Sequence, residues 1–188
     1  MLLSEYSADW PTHFRQIVAQ ITPVLAGSAV GFVHVGSTAI VGLVAKPIID
    51  VDLFYNHTES FDIIKVNLES IGYRHHGNQG IAAREVFKRS GQQHNEFLDS
   101  ISHHLYVCPA DSPELRRHLL FKYALVNDQL ARTFYGNLKL QLAAESGQDR
   151  KVYAQLKALK AQAFIDYIID KAAGSAHILA ELNQVKSV

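Results

Sequence analysis

The chain predicts an α+β fold: a small mixed β-sheet of four or five strands flanked by helices, with a C-terminal helical segment. Through about residue 110, short runs rich in β-branched residues alternate with stretches of helical apolar spacing, and beyond it only helical spacing remains. A length of 188 residues suffices for one well-buried core with helices packed on it. Residues 1–188 are therefore expected to form a single domain, with 1–110 as its αβ part and 111–174 as a helical part packed on it.

Asp9 ahead of Trp10-Pro11 starts a helix, proline being tolerated in the first turn, and Phe14, Ile17, Val18, Ile21 and Leu25 recur at helical spacing until Gly27. Phe32, Val33 and Val35 make a first strand and Pro47 to Phe54 a second, with residues 36–46 as the connecting loop. Thr58 or Ser60 caps a helix carrying Phe61, Ile64, Val66 and Leu68, which Gly72 closes. Two further strands are predicted at Ala83 to Arg89 and Ile101 to Cys108, joined by the polar stretch Ser90 to Ser100. Ser112-Pro113 then opens the helical part. Its apolar stripes are Leu115, Leu119, Tyr123 and Val126; then Leu130, Phe134, Leu138 and Leu142; then Val152, Leu156, Leu159, Phe164 and Ile168. Asn127-Asp128 and Ser146-Gly147 break them, and the weakly patterned residues after Gly174 are expected to fray. With no flexible linker between the two parts, the helices are expected to pack on or beside the sheet and wall a cleft.

Eighteen basic residues cancel eighteen acidic ones, which argues against long nucleic acid held by bulk charge but leaves room for a local cluster of phosphate donors. The lone Cys108 excludes an internal disulfide, and no signal-peptide pattern is found, so a cytoplasmic location is expected. No apolar run reaches the roughly 20 residues that span a bilayer. The histidine pairs 75-76 and 103-104 lack cysteine partners at zinc-finger spacing.

Chemistry concentrates in Gly36 to Asp52, which reads GSTAIVGLVAKPIIDVD. Residues two apart on a strand share a face, so Asp50 and Asp52 project together while Ile49, Val51 and Leu53 fill the core. Paired carboxylates repel unless a positive charge lies between them, and Mg²⁺ is the hard cation suited to two Asp ligands plus phosphate oxygens. The competing reading of a bare Asp-x-Asp is the solvated face of an edge strand. Gly36 allows close backbone approach, the amides and hydroxyls of Ser37 and Thr38 can donate to phosphate, and Lys46 at the start of the strand can reach a phosphate or the aspartates. On the later strand His104 and Tyr106 share the face opposite Leu105 and Val107, which makes His104 a candidate ligand or base. Neither a serine-hydrolase elbow nor a Walker-type P-loop is present.

The stretch VGSTAIVGLVAKPIIDVD closely resembles the signature of the GrpB family, a branch of the polymerase-beta-like nucleotidyltransferase superfamily, whose shared pattern is Gly-Ser followed by Asp-x-Asp. The resemblance continues in Ile71-Gly72-Tyr73, in His104-Leu105-Tyr106-Val107, and in Tyr135, Leu138-Lys139 and Asp149-Arg150 to Tyr153. It implies a nucleotidyltransferase-like fold in which Gly36 and Ser37 face a triphosphate and Asp50 and Asp52 bind magnesium. Other superfamily members add a third carboxylate from a neighbouring strand, for which Glu85 is the candidate by position, with His104 as the alternative. Three positions depart from the family pattern: Val41 stands where proline is usual, Tyr106 replaces the second histidine of a His-x-His pair, and Lys122-Tyr123 replaces an Arg-Asp pair.

The resemblance thus implies a Mg²⁺-dependent nucleotidyltransferase that passes a nucleoside monophosphate from a nucleoside triphosphate to a small acceptor. The alternative is a non-catalytic module of the same fold that binds a nucleotide or coenzyme precursor. Fusion of some family members to dephospho-CoA kinase makes an enzyme of coenzyme A metabolism a candidate partner. A toxin-like transferase acting on protein or tRNA is a third possibility, and the neutral charge counts against tRNA.

Overall fold

The computed structural model describes residues 1–56 and 60–185. Five strands form one mixed sheet: β1 (Val30–Val35), β2 (Ile49–Tyr55), β3 (Tyr73–His75), β4 (Glu85–Arg89) and β5 (His103–Pro109), in the order β1-β2-β5-β4-β3. Only β2 and β5 are parallel, in a register that sets Asp50 beside His104 and Asp52 beside Tyr106. The other neighbouring pairs are antiparallel.

The helices divide by chain order between the two faces of the sheet. On one face, α1 (Trp10–Ile21) and α2 (Phe61–Ser70) bring Trp10, Ile17, Ile21, Ile64 and Leu68 onto Ile49, Val51, Leu53, Leu105 and Val107. A five-residue helix, α3 (Glu96–Ser100), adds Leu98 to that core, capped by the Asn95 side chain. The opposite face carries α4 (Pro113–Asn127), α5 (Gln129–Glu145), α6 (Arg150–Lys160), α7 (Gln162–Ala173) and α8 (Ala176–Val185). There Val33, Val35, Phe54 and Cys108 of the sheet pack with Leu115, Leu119, Tyr135 and Ile168. None of the described helices is long and apolar enough to cross a membrane.

This two-sided cover decides how the Asp-x-Asp strand is read. β2 is paired on both edges and covered on both faces, so Asp50 and Asp52 face the α4 side of the sheet, Asp50 partly buried and Asp52 only 1% exposed. The solvated edge-strand alternative is thereby excluded.

Several elements differ from expectation for identifiable reasons. β2 starts at Ile49 rather than Pro47, because proline has no N–H to give the ladder. The three-residue β3 is too short to show alternation, and the polar 90–100 connection contains α3. Ser60 stands at the start of α2 without a side-chain cap, and Thr58 lies outside the described residues. On α5 the buried residues are Tyr135, Lys139, Leu142 and Ala143, whereas Leu130 and Phe134 of the expected stripe are exposed. The stripe expected from Val152 to Ile168 is divided at buried Ala161 between α6 and α7. Instead of fraying, residues after Gly174 form α8, which buries Ile178 and Leu182 in the core shared with α4 and α7.

Candidate functional site

β1 leads directly into the Gly-Ser-Thr turn. Gly36 has φ 71°, in the left-handed region that glycine favours, and a Cβ there would lie 2.2 Å from Asp50 Oδ2. Residues Ser37–Ala39 then form one 3₁₀ turn. Thr38 is only 1% exposed, and its hydroxyl donates to the Ile48 carbonyl at 3.1 Å. Since that uses its only proton, its contact with His34 Nε2 at 3.0 Å must be accepted from an imidazole N–H. Burial and the nearby Lys122 charge pull His34 down to about 4, consistent with a neutral ring stacked on Phe14. The Thr38 hydroxyl thus fixes the turn, leaving Gly36 and Ser37 on the rim.

The loop that follows is tied down at two points. Ala45 pairs with Ser4 through reciprocal backbone hydrogen bonds, and Lys139 Nζ of α5 donates to the Val44 carbonyl. Lys139 is only 3% exposed and lies over the Tyr135 ring. Burial, reinforced by the charge of Lys157, pushes its ammonium down to about 7. Lys46 lies 4.6 Å over the Tyr153 ring, and burial together with Arg150 and Lys157 lowers its affinity for a proton. These two lysines and Lys157 line one cavity of about 480 Å³ with Gly36, Ser37, Asp50 and His104.

At the carboxylate end, each aspartate accepts a hydrogen bond from an imidazole. His104 Nδ1 of β5 donates to Asp50 Oδ1 at 2.9 Å, and His118 Nδ1 of α4 donates to Asp52 Oδ2 at 2.7 Å. The other ring nitrogen of His118 faces Glu114 Oε1 at 3.2 Å. Where Asp52 and Glu114 are ionised both ring nitrogens face acceptors, which favours the imidazolium form. Burial alone would discharge it, but Asp52 and Glu114 outweigh that cost and push the ring up to about 10. Burial acts on Asp52 in the other direction, raising its affinity for a proton, against which the His118 hydrogen bond works.

The first turn of α4 makes this possible. Ser112 caps it by accepting from the Glu114 N–H while donating to the Ala83 carbonyl, and Glu114 and His118 follow four residues apart on one helix face. Arg84 completes the cluster, lying 4.7 Å over the Tyr106 ring and 3.7 Å from Glu114. Neither His118 nor Glu114 was singled out by the sequence reading. Their i, i+4 spacing just after a Ser-Pro helix start was the available signal, but nothing local ties it to a strand 66 residues away.

Glu85, expected to supply a third metal-binding carboxylate, is not brought to the aspartates. It pairs in register with Val107 on the opposite face of the sheet and is bound to His75 at 2.6 Å. β4 runs antiparallel beside β5, and this register turns Val86, not Glu85, to the Tyr106 face. Among the described residues no three His, Cys, Asp or Glu side chains converge as a metal-binding group. Of the three departures, Val41 is exposed, Tyr106 stacks under Arg84, and Lys122 Nζ donates to the His34 carbonyl.

A family model described as GrpB protein matches residues 1–171. The chain belongs to the GrpB family. The crystal structure of conserved protein GrpB from Enterococcus faecalis superposes with a TM-score of 0.73 at 29% identity, covering 90% of this chain and 96% of that one. The glutamate-rich protein GrpB of Alkalihalophilus pseudofirmus is 26% identical over 91% of this chain and 95% of its own length. The UPF0157 protein YqkA of Bacillus subtilis is 29% identical over 81% of this chain, and the chain spans 42% of that relative. For the UPF0157 protein PA4798 of Pseudomonas aeruginosa, which is 32% identical over 79% of this chain, the share spanned is 59%. A GrpB chain of this kind therefore corresponds to part of some relatives and to nearly the whole of others.

Proposed function

We propose that the cavity binds a nucleoside triphosphate and transfers its nucleoside monophosphate to the hydroxyl of a small acceptor. The observation that carries this reading is the meeting, on one cavity, of the Gly36-Ser37 rim, the Asp50–His104 pair and three lysines, of which Lys139 is almost wholly buried. A buried ammonium whose hydrogen-bond partner is a carbonyl is completed by an anion, and a triphosphate supplies one.

The acceptor oxygen forms a bond to the α-phosphorus. The bond from that phosphorus to the bridging oxygen of pyrophosphate breaks, its electron pair leaving with pyrophosphate. The hydroxyl proton passes to His104 Nε2, because Nδ1–H is committed to Asp50, which orients the ring. Ser37 and the backbone of its turn, with Lys46, Lys139 and Lys157, hold the phosphates.

Mg²⁺ fits this donor set: Asp50 and Asp52 offer hard oxygens from one face, and Asp52 Oδ1 is buried with no hydrogen-bond partner. Those two residues would hold the ion, which when bound neutralises phosphate charge and lowers the pKa of the attacking hydroxyl. Isothermal calorimetry with Mg²⁺ and a non-hydrolysable triphosphate checks the reading. Asp50→Asn and Asp52→Asn each remove metal-dependent binding while circular dichroism stays unchanged; binding equal to the parent overturns the metal role.

A second reading, a nucleotide- or coenzyme-precursor-binding module that serves a partner enzyme of coenzyme A metabolism, is favoured by Glu85 lying on the far face and by Tyr106 being covered by Arg84. Pyrophosphate released from a labelled triphosphate in the presence of an acceptor panel excludes it.

A further inference from the structure

Asp52 belongs to the Asp-x-Asp pair, yet only Asp50 of that pair lines the cavity. What lies between Asp52 and the cavity is His118, which does line it. The ring is clamped at both nitrogens, 2.7 Å from Asp52 and 3.2 Å from Glu114, and Glu114 in turn lies 3.7 Å from Arg84. Charges therefore alternate along Asp52, His118, Glu114 and Arg84. In this arrangement Asp52 Oδ2 is already occupied, by a group that belongs to the protein.

Building on the metal-binding reading above, we propose that His118, seated on Asp52 Oδ2, competes with a divalent ion for Asp52, so that the ion gains this carboxylate only when the His118 ring gives it up. His118 is then a positioning residue, setting how readily the second aspartate enters the cavity. Asp50 differs: its side chain is 27% exposed, and its partner His104, at 41%, lies open to the cavity. The two aspartates are thus unequal, Asp50 standing ready and Asp52 guarded. Each acid of the pair is also partnered from a different element, Asp50 by His104 of β5 and Asp52 by His118 of α4.

Mn²⁺ binding to the full chain, read by electron paramagnetic resonance and calorimetry without nucleotide, tests this. Replacing the ring in His118→Gln, which keeps a donor for Asp52 but not a ring held between Asp52 and Glu114, is expected to tighten Mn²⁺ binding about tenfold. The gain disappears in His118→Gln/Asp52→Asn. In the wild-type chain, ¹⁵N spectra of assigned histidines are expected to show the His118 Nδ1 signal shifted on Mg²⁺ saturation as its bond to Asp52 is broken, a measurement that needs no variant. Unchanged or weaker Mn²⁺ binding in His118→Gln, a gain that survives Asp52→Asn, or an unmoved His118 signal at saturation overturns the proposal while leaving the metal reading intact. Absence of Mn²⁺ binding from both wild type and His118→Gln overturns the metal reading and this proposal with it.

Discussion

Gly36 and Lys139 show how single residues set the site. At Gly36 two demands coincide, a φ of 71° and an Asp50 oxygen 2.2 Å from where a Cβ would sit. Gly42 has a φ of 79° but nothing within 4 Å of the same position. Urea unfolding is therefore expected to show Gly36→Ala destabilised by clearly more than Gly42→Ala, whose left-handed conformation alone costs about 1–2 kcal/mol. Lys139 is an amine buried where its charged form is costly. Its folded pKa is about 7 against 10.5 in the unfolded chain, so the unfolded state binds the extra proton between those values and Lys139 makes stability rise with pH across that window. Lys139→Met is expected to remove this rise, to be most stabilising relative to wild type below pH 7, and to weaken triphosphate binding; unfolding midpoints at several pH values and calorimetry measure both.

At the scale of elements, the last helix carries a clear expectation. Ile178 and Leu182 of α8 are 6% and 2% exposed, and burying each such side chain contributes about 1.5–3 kcal/mol. Ending the chain after Gly174 is expected to lower stability by about two such increments, seen as a shifted thermal midpoint. The sequence made the main elements legible because strand alternation in β1, β2 and β5 and the Ser112-Pro113 helix start are local signals. It misplaced the inward face of α5 because a buried Lys139 occupies a slot in its core-facing stripe while Leu130 and Phe134 remain exposed, against the usual partition of polar and apolar residues. The Gly36 to Asp52 half of the site was legible for the same local reason. Its other half was not: whether Glu85 or Glu114 approaches the aspartates depends on the β4 register and on the docking of α4, which no local spacing encodes.

Across the whole molecule, one sheet separates two cores with different duties. The α1 and α2 side is apolar packing on β2 and β5, whereas the α4 to α8 side contains the cavity. His34, near the Gly-Ser-Thr turn, makes stability depend on pH on the acid side. Its folded value of about 4 lies below 6.5, so the unfolded chain takes up a proton that the native chain refuses, and stability is lost as pH falls from 6.5 toward 4. The loss attributable to His34 is about 3 kcal/mol at 1.36 kcal/mol per unit. His34→Gln, which keeps a donor for Thr38, is expected to flatten that limb in urea unfolding followed from pH 7 to pH 4. The long reach of the histidine clamps also bears on synthesis. Asp50 leaves the ribosome 54 residues before His104, and Asp52 leaves 66 before His118. Until those partners emerge, the nascent β2 has no parallel neighbour and its two acids stay hydrated, so the growing chain completes its charge-compensated centre only after α4 has been made.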